Sequence, residues 1–179
     1  MQRPDENDRI PDTRALRKPH IFSTGTFMPN AMRLTEALEV VGRMPRPSSF
    51  GIHALKGLPR HELGPTEILC YTGRHVAQVE SYAGALLVDI LDACGFAEQP
   101  RSLLKRCVVV AHGQDGYQSI FSWSELYNST IGRKAMVLYE KNSEALDAHL
   151  GSICLISAND ARLGPRHLRG LTQLLVREL

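Results

Sequence analysis

An α+β fold, mixed and mainly β with a few short helices, is predicted by three observations. From Arg33 onward, short apolar runs alternate with Gly, Pro, Asn and Asp, the pattern of strands ended by turns. Only two or three stretches carry helical spacing, and each is short. The third observation is size: residues 31–179 make one ordinary domain, large enough to bury a substantial core. Residues 1–30 differ, mixing Pro4, Pro11, Pro19 and Pro29 with nine charged side chains and few large apolar ones. Such a stretch cannot bury enough surface to offset the entropy of ordering it, so a flexible N-terminal arm is expected there.

Each element follows from its residues. ALEVVGRM (37–44) reads as the first strand, closed by Pro45 and Pro47. Ser48 and Ser49 then stand where they would cap a short helix through Leu55, ended by Gly57 and Pro59. TEILCYT (66–72) and HVAQVESY (75–82) read as strands joined at Gly73-Arg74. In ALLVDILDACG, Leu86, Leu87, Ile90, Leu91 and Cys94 share one helical face opposite Asp89 and Asp92, and Gly95 is the stop. CVVVAHGQ meets YQSIFS across Asp115-Gly116, the strongest hairpin signal in the chain. Ser122 and Glu125 stand in the relation of a capping box, which starts a short helix. AMVLYE (135–140) and SICLIS (152–157) are two further strands. In the tail, Leu168, Leu171, Leu174 and Leu175 have helical spacing, while TQLLV reads equally well as a buried strand.

Composition narrows the function classes. No apolar run approaches the ~20 residues of a membrane-spanning helix, so no membrane insertion is expected. The 21 Lys and Arg against 19 Asp and Glu leave a net charge of +2, too balanced to announce a nucleic-acid binder. Cys70, Cys94, Cys107 and Cys154 form no CxxC pair, and the seven His residues form no HxxxH or HxH pair. No GxGxxG, Walker loop, HExxH or GxSxG motif occurs, so dinucleotide-dependent and serine-hydrolase chemistry have no support. The N-terminus lacks the apolar region of a signal peptide. The chain as it stands reads as cytoplasmic, and a chain trimmed of its leader would read the same and belong to the periplasm.

The order of motifs is more specific than any one of them. LEVVGRMPRPSSFGIHALKGLPRHEL, YAGALLVDILDACGF, VVVAHGQDGYQSIFSWSEL and VLYEKNSEALDAHLGSICLISANDARLGPRHLRGLTQLLV succeed one another through residues 33–179. Taken in that order they resemble the oxidoreductase molybdopterin-binding domain, the catalytic fold of the sulfite oxidase family. The resemblance implies that the final segment is a turn followed by a strand. It also implies a pyranopterin cofactor chelating molybdenum, with one Cys thiolate as a protein ligand. Such a soft donor suits this redox metal, while the cofactor carries the reaction. Substrates in the family are small oxyanions or S- and N-oxides.

Site residues follow from the same resemblance. Cys70 lies where the family's metal ligand falls, upstream of the segment from Tyr82 to Leu91. Arg162, Arg166, His167 and Arg169, around the Gly164-Pro165 turn, fall where family members place basic groups beside the cofactor, and guanidinium groups there could hold its phosphate. From its own surroundings, however, Cys70 reads as a strand residue of the core, and the basic cluster as a solvated loop. Arg74 and His75 would join an anion pocket only if their loop meets the 162–169 loop. His112 and Asp115 flank the hairpin turn, where an Asp serves to bond local amides. Tyr117 and Trp123 read as packing residues. ISAND (156–160) replaces the family's Pro-Gly turn, and Ile153 stands where the family often has Arg.

Two functions are therefore carried forward. One is a molybdopterin-dependent oxidoreductase domain acting on a small oxyanion or oxide. The other is a cofactor-free relative that binds a small anion or a protein.

Overall fold

The computed structural model describes residues 37–179, and the arm expected over residues 1–30 lies outside them. In chain order the elements are β1 (Ala37–Gly42), β2 (Ser48–Gly51), α1 (Ile52–Lys56), β3 (His61–Leu63), β4 (Thr66–Leu69), β5 (His75–Val79), β6 (Tyr82–Leu86) and α2 (Leu87–Ala93). There follow α3 (Arg101–Leu104), β7 (Cys107–Gly113), β8 (Gln118–Ser122), α4 (Trp123–Asn128), β9 (Ala135–Lys141), β10 (Glu144–Ala145), β11 (Cys154–Ser157) and β12 (Leu171–Glu178). The first sheet has the order β2-β1-β12-β7-β8; the second runs β10-β9-β6-β3 with β11 also on β9; β4 and β5 form a separate ribbon. Among the described residues, only β1 and β12 pair in parallel.

The second sheet has core on both faces. Alternation along β9 sends Ala135, Val137 and Tyr139 into one cluster and Met136 and Leu138 into the other. This two-sided burial is why AMVLYE is a continuous apolar run. The first cluster is completed by Leu38, Val40, Val109, Phe121, Leu174 and Val176 from the first sheet and by Ile90 and Leu91 from α2. The second is completed by Tyr82, Ile156, and Ile68 and Val79 from the ribbon.

The tail is a strand, and its misleading periodicity has a cause. β12 pairs β7, and the register shifts between Leu171 and Gln173. This irregularity lets Leu171 and Leu174, three residues apart, both reach full burial. Pairing with β1 and β7 on its two sides supplies the backbone bonds that a helix would otherwise make.

Two local expectations are corrected. Ser48 and Ser49 belong to β2 rather than to a helix cap: Ser49 pairs Glu39 across the strands, and its hydroxyl donates to Glu39 Oε1 at 2.7 Å. The helix starts later, at Ile52, with Gly51 at its N-cap. The ALLVDILDACG segment divides at Leu86–Leu87, because β6 bonds both β3 and β9 before the helix begins. The capping box of α4 forms as read, with Glu125 N donating to Ser122 Oγ at 3.1 Å and Ser122 N donating to Glu125 Oε2 at 2.8 Å.

Candidate functional site

The expected TEILCYT strand stops at Leu69, and Cys70 opens the turn of the β4–β5 ribbon. Cys70 N donates to Arg74 O at 3.0 Å, and Gly73 N donates to Cys70 O at 2.9 Å. Gly73 sits at φ +82°, a conformation that favours glycine and so ends the strand locally. Cys70 is consequently half-buried at a turn instead of sealed in a strand. Its Sγ lies 3.0 Å from Thr72 Oγ1. That hydroxyl, aided by the Arg74 and Thr72 amides and the Arg74 charge, holds the thiol below its ordinary pKa despite some desolvation. The other three cysteines are buried; burial raises the thiol pKa of Cys94 and Cys107 and pushes Cys154 up to about 12.

The basic loop packs directly on this turn. A Cβ placed on Gly164 would stand 2.7 Å from Leu69 O and 3.1 Å from Cys70 Cα, so the close approach needs glycine. From the other side, Tyr117 donates its hydroxyl proton to Pro165 O at 2.7 Å. Tyr117 is held in turn by the hairpin, where its amide donates to Asp115 Oδ1 at 3.0 Å. Asp115 thus bonds local amides as expected, whereas Tyr117 is an exposed strut rather than a core residue. Trp123 does pack against the core, stacked on Tyr127.

Turn and loop enclose a cavity of about 760 Å³. Ile68, Val79 and Tyr82 form its apolar wall, Cys70 and His167 line it, and Lys141, Asp147, His149 and Arg169 make its polar side. Arg169 Nη1 lies 2.7 Å from His149 Nε2, and Lys141 Nζ lies 3.2 Å from Asp147 Oδ2. The arginine can only donate, so His149 accepts at Nε2.

The four basic residues named from the sequence have different settings. Arg169 and His167 line the cavity with Cys70. Arg162 is exposed beside it, its guanidinium within 3.7 Å of where a Gly73 Cβ would lie, so the loop bearing Arg74 and His75 does meet the 162–169 loop. Arg166 is occupied elsewhere: its Nε and Nη2 donate to the two Asp160 carboxylate oxygens at 2.6 Å each, and Nη1 donates to Glu125 Oε1 at 3.2 Å. It also lies over the Phe121 ring at 4.4 Å. His167 is kept neutral, its pKa pushed down to about 4 by burial and then by Arg169, Lys141 and His149. Its Nε2 is buried with no hydrogen-bond partner.

Sequence reasoning did not single out Lys141, Asp147 or His149. No spacing joins them to Cys70 or to the basic loop; they meet because β9 ends beside the ribbon, and Asp147 holds the following turn by accepting from His149 N and Leu150 N at 3.0 Å each. Tyr82, quoted for its place in a motif, becomes a cavity wall with its ring centroid 6.2 Å from that of His167. Among the described residues, no cluster of three or more His, Cys, Asp or Glu could hold a metal ion unaided.

No family model matches the sequence, and no curated protein matches it. Among solved structures, the chain is similar to the sulfane dehydrogenase SoxCD from Paracoccus pantotrophus, with a TM-score of 0.64 and 17% sequence identity. The match covers 83% of this chain and 40% of that one, so the chain spans well under half the length of its structural neighbour. At this identity the likeness concerns the fold alone. With mixed, mainly β sheets and four short α-helices among the described residues, the architecture is consistent with a sulfite-oxidase-like α+β fold.

Proposed function

We propose that the cavity beside Cys70 is the cofactor site of a molybdopterin-binding, oxidoreductase-like domain that acts on a small oxyanion or an S- or N-oxide. The observation carrying this reading is the close packing of Gly164 on Leu69 and Cys70. It makes the expected metal ligand and two of the expected basic residues, nearly a hundred positions away in sequence, walls of one cavity. The residues fit such a group in three respects. Cys70 offers an acidified soft thiol, Arg169 and the nearby Arg162 offer guanidinium groups for a phosphate, and His167 has an unpartnered buried nitrogen. A metal chelated chiefly by its own cofactor asks the protein for one donor, so a three-residue cluster is not required.

When bound, the cofactor would supply the redox chemistry at its metal. The chain's own part is binding and orientation. Cys70 would ligate as thiolate, its charged form favoured by the Thr72 hydroxyl and Arg74. Arg169, its side chain braced on His149, would hold an anionic group on the polar side. Ile68, Val79 and Tyr82 would exclude water from the opposite wall. The test is the molybdenum-to-protein ratio of protein purified from a host that makes the cofactor. A ratio near one that falls on Cys70→Ala supports the reading; a ratio near zero, with a control enzyme loaded in the same host, refutes it.

One observation favours the second reading, a cofactor-free anion- or protein-binding relative. Arg166 is already paired with Asp160 and Glu125, which removes one of the three expected guanidinium groups from cofactor binding. On this reading Cys70→Ala leaves binding intact, and its cost in stability is about 1 kcal/mol or less for so small a truncation.

A further inference from the structure

Among the described residues, five large hydrophobic side chains are exposed, and three of them border the cavity mouth: Tyr71 at 84%, Val76 at 56% and Tyr117 at 47%. Tyr71 and Val76 stand on the turn and first residues of the β4–β5 ribbon; Tyr117 reaches across from the β7–β8 turn. Each is held by structure that does not depend on its own burial. The ribbon turn is closed by the Cys70–Arg74 backbone bond, and Tyr117 is tied to Pro165. A turn whose backbone is already set adds little ordering cost on binding, and exposed Tyr with Arg is the composition of interface hot spots.

The charges around them are of one dominant sign. Arg74 is exposed in the ribbon turn, Arg162 is exposed against Gly73, and Arg169 lies inside the mouth. Asp147 and Lys141 offset each other, and the exposed Asp115, although it accepts from the Tyr117 amide, keeps its charge and leaves the three arginines in excess. We propose that this mouth is the docking surface for a protein partner that presents an acidic segment with an apolar or aromatic side chain. Its carboxylates meet Arg74 and Arg162, and its apolar group seats among Tyr71, Val76 and Tyr117. Arg162 is shared with the cofactor reading, whereas Arg74, Tyr71, Val76 and Tyr117 are not, so the test is made on Arg74 and Tyr71 and does not depend on Cys70.

The experiment uses the full chain and defined polymers as probes. Binding of fluorescently labelled poly(Glu,Tyr), polyglutamate, poly(Lys,Tyr) and oligo-dT is measured by anisotropy at two salt concentrations, with sedimentation velocity of the protein alone. The expected result is poly(Glu,Tyr) bound at least about tenfold more tightly than polyglutamate, an advantage removed by Tyr71→Ser. Arg74→Gln then weakens both acidic polymers and flattens their salt dependence. Three results would overturn the proposal: equal binding of the two acidic polymers, tightest binding of oligo-dT, or self-association abolished by Tyr71→Ser, which would make a second copy the occupant. Tyr71 is so exposed that its replacement leaves the fold intact, and circular dichroism checks this. Molybdenum content is read on the same preparations, so failure here and failure of the cofactor reading are separable.

Discussion

Gly164→Ala tests whether the packing of two distant loops builds the site. The added Cβ would sit 2.7 Å from Leu69 O, and moving to the 3.4 Å of ordinary contact requires the loop and the ribbon turn to part by about 0.7 Å. Both obstructing groups are backbone, so neither can swing aside as a side-chain tip would. Overpacking of this kind costs about 1–3 kcal/mol. The displacement falls on Cys70 itself, so iodoacetamide should also modify Cys70 faster. Gly64→Ala is the matched control: it lies just before the same ribbon, a Cβ there meets nothing within 4 Å, and its φ is not in the left-handed region. That variant should be neutral or about 0.4–1 kcal/mol more stable, through the unfolded chain. Urea denaturation with an unchanged m-value reads both costs. The reasoning is refuted if the two variants match in stability and in Cys70 alkylation.

Other substitutions separate roles within the basic loop. Arg166→Ala strips a largely buried Asp160 of its cation and should cost about 3 kcal/mol, whereas Arg169→Ala, at the cavity wall, should cost less than about 1 kcal/mol in denaturant titrations while weakening phosphate binding. His167 contributes pH dependence of known sign. Its folded pKa of about 4 lies below the unfolded value near 6.5, so the unfolded chain takes up the proton first. Its stabilisation is whole above about pH 6.5 and declines as pH falls toward 4, by up to about 3 kcal/mol, and His167→Gln should flatten this part of the stability profile. Thr72→Val removes the main group acidifying Cys70, so the pH profile of iodoacetamide alkylation should move upward; an unmoved profile would contradict the assignment.

Much of the architecture was legible because it is local. Asp115-Gly116 makes its hairpin with Gly116 at φ +82°, Gly95 ends its helical segment at φ +78°, and Ser122 with Glu125 caps α4. These depend on residues within a few positions of one another, so nothing elsewhere in the chain can easily overrule them. AMVLYE was readable as a strand for a related reason: its apolar continuity reports burial on both faces. The ordered motifs extended this to the fold class, now matched by a distant structural neighbour.

The sequence by itself thus determined the hairpin turn, the capping box of α4 and most of the strands, along with the residues worth watching. Only tertiary structure decided what those residues do. Ser48 and Ser49 became strand because β1 offered an edge that outweighed their preference for capping. The leucines of β12 kept a helical spacing because a register shift in its pairing with β7 realigns them. Cys70 left the strand at the ribbon turn and met Gly164 there, while Arg166 was drawn to Asp160 and Glu125 and Arg169 to His149. Pairing edges, close backbone approaches and competition among partners for one guanidinium are set by chain segments far apart in sequence, and no local pattern encodes which segment will arrive.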